Sequence, residues 1–181
     1  MPPLRVLLIG PYSPPRGGVQ AHVTAQREYH LKRGVACEVI DLSPNRRDEG
    51  AGVYGPEGGP GVARLLMTLR YDVAHMHVGG RLHPRLAALA LLAGLVPGRK
   101  AALTFHSGGY PSSPEGRAAR PRSLRGVALR RLDRVVAVNE EIAAWFRQVG
   151  VAPGRIRLIS PYALPAGPPA LEPPEPLRSF M

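Results

Sequence analysis

A single cysteine, Cys37, occurs in the 181 residues. No intrachain disulfide can form, nor any all-cysteine metal site, and a cytoplasmic setting fits that usage. Aromatic residues are also sparse, at 6%. Proteins that hold single-stranded nucleic acid stack bases on rings beside positive charge. The arginine-dense stretch from Arg117 to Arg134 has few rings among its cations. Zinc-finger spacing and RNA-binding motifs are missing as well, so no nucleic-acid partner is expected. Long apolar runs are absent too. The most apolar helical stretch, residues 86–96, falls well short of the ~20 residues that span a bilayer. The N-terminus enters a strand-like segment without a charged region followed by a long apolar one. Acidic residues number 13 against 24 Lys and Arg, a net charge of +11. Such an excess either solvates basic faces or attracts an anion, such as a phosphorylated substrate or a membrane surface. Peripheral membrane contact is compatible with it.

What is present suits one substantial domain. Hydrophobic residues make up 44%, and the 21 Pro and 21 Gly gather in loops and towards the C-terminal end, where they punctuate elements. Residues 4–9 form a short, continuous apolar run, the pattern of a strand buried on both faces of a parallel sheet. A helix is predicted over 19–33, with Gly34 as its left-handed C-terminal cap, and a strand over 37–42. Residues 43–61 read as a surface loop. A helix over 62–70 and a strand over 72–78 follow, then a helix over 84–95 and a strand over 101–105. A loop over 106–116 leads to a helix over 123–132 and a strand over 134–138. Asn139 can cap the next helix, which ends at Gly150, and 156–159 is a last short strand. The expected fold is α/β, a Rossmann-like doubly wound parallel sheet with helices on both faces. The domain covers 1–160, and 161–181 reads as a Pro-rich linker.

Ligands of such sheets bind beyond the C-terminal ends of the strands, and three loops there carry unusual residues. The first runs Gly10-Pro11-Tyr12-Ser13-Pro14-Pro15-Arg16-Gly17-Gly18. Paired glycines at a helix start let backbone N–H groups approach an anion; they equally permit a tight strand-to-helix turn. The spacing is neither a dinucleotide fingerprint nor a P-loop. The second is Asp72-Val73-Ala74-His75-Met76-His77 before Val78-Gly79-Gly80. His75 and His77 share one strand face, but no further ligand arrives at metal-site spacing, so no metal is expected. The third is Thr104-Phe105-His106-Ser107-Gly108-Gly109. A histidine just past a buried strand can meet a substrate near neutral pH or anchor its own loop. Ser107 lacks the surroundings of a hydrolase nucleophile.

These pieces recur in an order that is similar to the N-terminal domain of glycosyltransferase family four, enzymes of the GT-B fold. The carriers are the G-P-Y-S-P-P-R-G-G-V opening, the D-V-A-H-M-H strand and the T-F-H-S loop. D-R-V-V-A-V-N-E and G-V-A-P-G-R-I-R-L-I-S-P complete the set, which reaches from Leu4 to Pro161. The resemblance implies a sugar transferred from a nucleotide-sugar donor to a glycan, glycolipid or small-molecule acceptor, with retention and without a metal or other cofactor. It implies a partner, a C-terminal donor-binding domain beyond the linker, without which the chain is expected to be inactive. Gly17, Gly18 and Val19 would lie near the donor diphosphate, and His106 would contact the transferred sugar. His77, Ser107 and Gly108 would line the substrate side, with the 72–77 strand flooring the acceptor. Two features depart from the family: Ser160-Pro161-Tyr162-Ala163-Leu164 stands where an Asn-Gly-Val-Asp type segment is common, and Asn139 where serine is. The alternative expectation is a non-catalytic domain that binds phosphorylated ligands through the Gly17–Gly18 turn.

Overall fold

A computed structural model of the chain describes residues 3–12, 17–44 and 50–160. Residues 13–16 of the glycine-rich loop, 45–49 of the polar loop and the linker at 161–181 lie outside the described residues. Seven strands form one parallel sheet: β1 (Arg5–Gly10), β2 (Ala36–Asp41), β3 (Val53–Tyr54), β4 (Val73–Val78), β5 (Lys100–Phe105), β6 (Arg134–Ala137) and β7 (Ile156–Leu158). Six helices connect them: α1 (Gly18–Lys32), α2 (Gly58–Thr68), α3 (Pro84–Ala93), α4 (Pro114–Ala118), α5 (Leu124–Arg131) and α6 (Glu140–Gln148). The order across the sheet is β3-β2-β1-β4-β5-β6-β7. The chain therefore reverses direction between β1 and β4, and a doubly wound sheet opens a crevice at such a switch point.

Alternation along the strands sorts side chains onto two faces. Leu7 and Ile9 of β1, Met76 of β4 and Leu103 and Phe105 of β5 join the large core with α2, α3, α5 and α6. Val6, Leu8 and Val39 pack on the other face with Val23 of α1. Helices thus occupy both faces unequally, with α1 the one helix that contributes to the smaller cluster. On the α1 face, β5 and β6 present Ala102 and Val136 only half-buried, and Ile159 just past β7 is 57% exposed.

Carboxylates close the lower edge. Asp72, just before β4, accepts from the Arg5 backbone N–H at 2.8 Å and pairs with its guanidinium at 3.1 Å. Asp133, just before β6, does the same for Ala101 N–H at 2.9 Å and Lys100 Nζ at 2.9 Å. Both hold first residues of neighbouring strands. At the same edge, Gly34 takes the left-handed conformation at φ 71°, and its N–H and that of Val35 return to Leu31 O and His30 O. Asn139 caps α6 through Oδ1, which accepts from Ile142 N–H at 2.9 Å.

Three features depart from the sequence expectations. β3 lies inside the stretch read as loop, since two residues carry no periodicity. Helix α2 begins four residues early, at Gly58, on a Gly-Gly-Pro-Gly start whose propensity argues against helix. Helix α4 lies across the loop expected over 106–116. It and α5 start alike: Ser113 Oγ accepts from Gly116 N–H and donates to Tyr110 O, and Ser123 Oγ repeats this with Gly126 and Arg120 O. A Cβ on Gly116 would sit 2.1 Å from Tyr110 O, and one on Gly126 2.3 Å from Arg120 O. Gly116 O also accepts from the buried Trp145 Nε1 at 3.0 Å. We expect Gly116→Ala to destabilise the fold by about 3 kcal/mol, read as a lower urea midpoint, while Gly109→Ala, whose Cβ meets open space, leaves it within error.

Candidate functional site

The C-terminal edge of β1, β4 and β5 gathers the residues that the sequence singled out. Gly10 ends β1 against β4: a Cβ there would meet His77 O at 3.0 Å and His77 Cβ at 3.1 Å. Tyr12, beyond it, is pinned from β2. Asp41 Oδ1, in a residue 5% exposed, accepts from the backbone N–H of Tyr12 at 2.9 Å and of Ser43 at 2.8 Å. The chain re-enters at Gly17, the extended N-cap of α1, with Gly18 as first helical residue and no acidic side chain in the first turn. A Cβ on Gly18 would meet nothing within 4 Å, and the positive end of the helix dipole lies at this turn. Val19 packs on the turn after β4, where a Cβ on Gly79 would come 2.8 Å from Val19 Cγ2.

Histidines fill the space between these elements. His77, at the end of β4, is 2% exposed, and its Nδ1 lies 3.2 Å from Nε2 of His106, just past β5. The two nitrogens share one proton. His106 is held in turn by its backbone N–H, which donates to Val78 O at 2.8 Å. His22, one turn into α1, brings its ring to 5.3 Å from that of His77 and 5.0 Å from that of His106. His75 stacks beneath at 4.3 Å from His77, with Gln26 Nε2 donating to its Nδ1 at 3.2 Å and its Nε2 donating to Thr104 Oγ1 at 2.8 Å. Burial is the first cause of every pKa shift here. It lowers His75 and His106 to about 4, with neighbouring imidazoles acting in the same direction. It holds His77 and His22 below the ordinary histidine value as well. At neutral pH these four rings are uncharged, and His75, engaged at both nitrogens, supports the other three, which can accept from hydroxyls or bind cations.

Ser107 and Gly108 follow His106 into a turn in which Ser107 O accepts from Tyr110 N–H at 3.2 Å. A Cβ on Gly108 would come 2.9 Å from Asn139 Nδ2, so this glycine lets the loop lie against the α6 cap. Gly17, Gly18, Val19, His77, His106, Ser107 and Gly108 therefore share one edge. Asp72 does not join them: it lies at the opposite end of β4, and of the 72–77 strand only the His77 end borders the site. Sequence reasoning also passed over His22 and Asp41. His22 had a signal, four residues after Gly18 on a helix that starts at the site. The third histidine comes through tertiary packing, which spacing along the chain does not reveal.

Much of the arginine-rich stretch serves the fold itself. Arg125 Nε donates to Leu82 O at 2.9 Å, Arg130 to Pro121 O at 2.9 Å and Arg155 to Arg130 O at 2.8 Å. Burial pushes the Cys37 thiol up to about 11, so it packs as an inert apolar group. A cavity of about 680 Å³ opens on the other face, lined by Leu42, Val62, Leu86, Leu89 and Leu92 with Arg85. Among the described residues no helix is long and apolar enough to cross a membrane.

A family model described as a glycosyl transferase 4-like domain matches residues 6–161. No curated protein sequence matches the chain. Among solved structures, Anabaena Alr3699/HepE in complex with UDP-glucose superposes with a TM-score of 0.58 at 16% identity. That match covers 85% of this chain and 43% of the other. The apo form of the lipopolysaccharide outer core galactosyltransferase WaaB gives 0.54 at 12% identity, over 94% and 50%. At these identities the likeness is one of fold. The chain spans about half the length of both.

Proposed function

From the premise that this chain belongs to the glycosyl transferase 4-like domain family, we propose that it is the acceptor-side half of a sugar-nucleotide-dependent glycosyltransferase. The observation that carries the reading is the placement of the Gly17–Gly18 helix start and His106 at the same strand-end edge, beside the β1/β4 switch point. Glycosyl transfer builds negative charge on the departing diphosphate, which fixed N–H dipoles stabilise. Gly17 and Gly18 present such dipoles. Neutral His106, steadied by His77, accepts a hydrogen bond from the sugar near the reacting carbon, and Val19, Ser107 and Gly108 shape the walls around it. The family resemblance adds retention of configuration and no metal requirement.

The donor itself is held mainly by a second half that docks across this edge. Two findings support a partner there: the chain spans 43–50% of the two structures it resembles, and the α1 face leaves Ile159 57% exposed. A sugar or lipid-linked acceptor then enters from this half. The apolar cavity rimmed by Arg85 suits an acceptor with an anionic head and an apolar tail, and a cytoplasmic, membrane-peripheral setting fits it. The test is nucleoside diphosphate release from a panel of nucleotide sugars, using a polypeptide in which residues 1–160 are joined to a donor-binding half. We expect turnover from the joined form and none from the 181-residue chain alone. Robust transfer by the chain alone would contradict the division of labour.

A further inference from the structure

The histidine cluster has a geometry that hydrogen bonding to a sugar does not require. One ring nitrogen from each of His22, His77 and His106 lies within 4.8 Å of the other two, and the three come from α1, β4 and the loop after β5. Metal–nitrogen bonds of about 2.1 Å at tetrahedral angles set two ligand nitrogens about 3.4 Å apart. His77 Nδ1 and His106 Nε2 are 3.2 Å apart. The third ring reaches the same point by a rotation of His22, which is only half-buried.

His75, stacked on His77 and bonded to Gln26 and Thr104, fixes the ring from below. Three imidazoles with further positions open are the donor set of a borderline cation, whereas Mg²⁺ and Ca²⁺ ask for oxygen.

We propose that His22, His77 and His106 bind one late first-row divalent cation of the Zn²⁺, Co²⁺ or Ni²⁺ class. The ion takes the place of the proton shared by His77 and His106. That proton moves to the outer nitrogen of the ring that donated it, so all three ligands stay neutral and none is released. The site stands on the cluster alone. Its consequence, that an occupying ion competes with the sugar for His106, rests on the transferase reading.

The test is calorimetric titration of the complete metal-free chain with Zn²⁺, repeated with Co²⁺ to read its visible ligand-field bands. Uptake is measured without turnover, so it can fail independently of the transferase proposal. We expect one ion per chain, with affinity weakened at least about 30-fold in His22→Ala and in His106→Ala. His30→Ala and His83→Ala, outside the cluster, should retain it. His77 is left unaltered because its burial ties it to the fold, and circular dichroism confirms that each variant is folded. Absence of saturable uptake, or equal weakening by His30→Ala or His83→Ala, would overturn the site.

Discussion

Replacing His106 with alanine in the polypeptide that joins residues 1–160 to a donor-binding half is expected, on the proposed function, to lower kcat about 100-fold or more with little change in donor KM. The reason is where the ring stands. His106 leaves the buried end of β5 fixed by its own backbone bond to Val78 O and by the His77 contact at 3.2 Å, so on the proposed function it would meet the sugar already oriented. An interaction made mainly as charge develops shows in kcat, whereas the proposed division of labour would put nucleotide affinity in the donor-binding half. His106→Gln, which keeps an acceptor but loses the bond geometry to His77, should recover only part of the rate. His83→Ala provides the control, since His83 is exposed beyond the site. A rise in KM at unchanged kcat would instead assign His106 to ground-state binding.

The second large effect is on stability against pH in the metal-free chain. His75 and His106 bind protons in the fold only near 4, against 6.5 when unfolded. Between those values the unfolded chain holds more protons, so stability falls as pH drops through the window and is intact above it. His75 alone contributes a loss of about 2 kcal/mol between about pH 7 and about pH 5. Partly exposed His106 contributes less, while His77, lowered by burial, His75, His106 and His22, adds in the same direction. Around the cluster, His22 and His30 of α1 act in the same sense. A combined loss of about 4 kcal/mol is a large share of a typical domain's stability. Urea midpoints across this range should fall steeply, and His75→Gln should flatten the slope. A pH-independent midpoint would mean that these rings are not buried as free bases.

Most of the fold could be read from residues 4–159 because each buried strand is a short apolar run between turn formers. Gly34 and Asn139 marked helix ends by chemistry that acts locally. What escaped has equally physical causes. β3 has two residues, α4 has five, and α2 starts on glycines whose intrinsic preference is overruled by the burial of its own Val62 and Leu66. The site was legible in its strand ends, since His77, His106 and the glycines lie in loops that a doubly wound sheet places together. The reach of Asp41 across to Tyr12 and the arrival of His22 depend on how α1 lies on the sheet, which no local spacing encodes. The motif places the 72–77 strand on the acceptor floor, and the register of β4 sets the Asp72 end of that strand at the opposite edge, onto Arg5.

The central claim is that the Gly17–Gly18 helix start and His106 face one donor. A crystal structure of the two-domain polypeptide with the nucleotide sugar that supports turnover tests it most directly. The account predicts diphosphate oxygens about 3 Å from the backbone N–H groups of Gly17 and Gly18, with the sugar against His106. A donor seated away from this edge, with both glycines and His106 untouched, would contradict it.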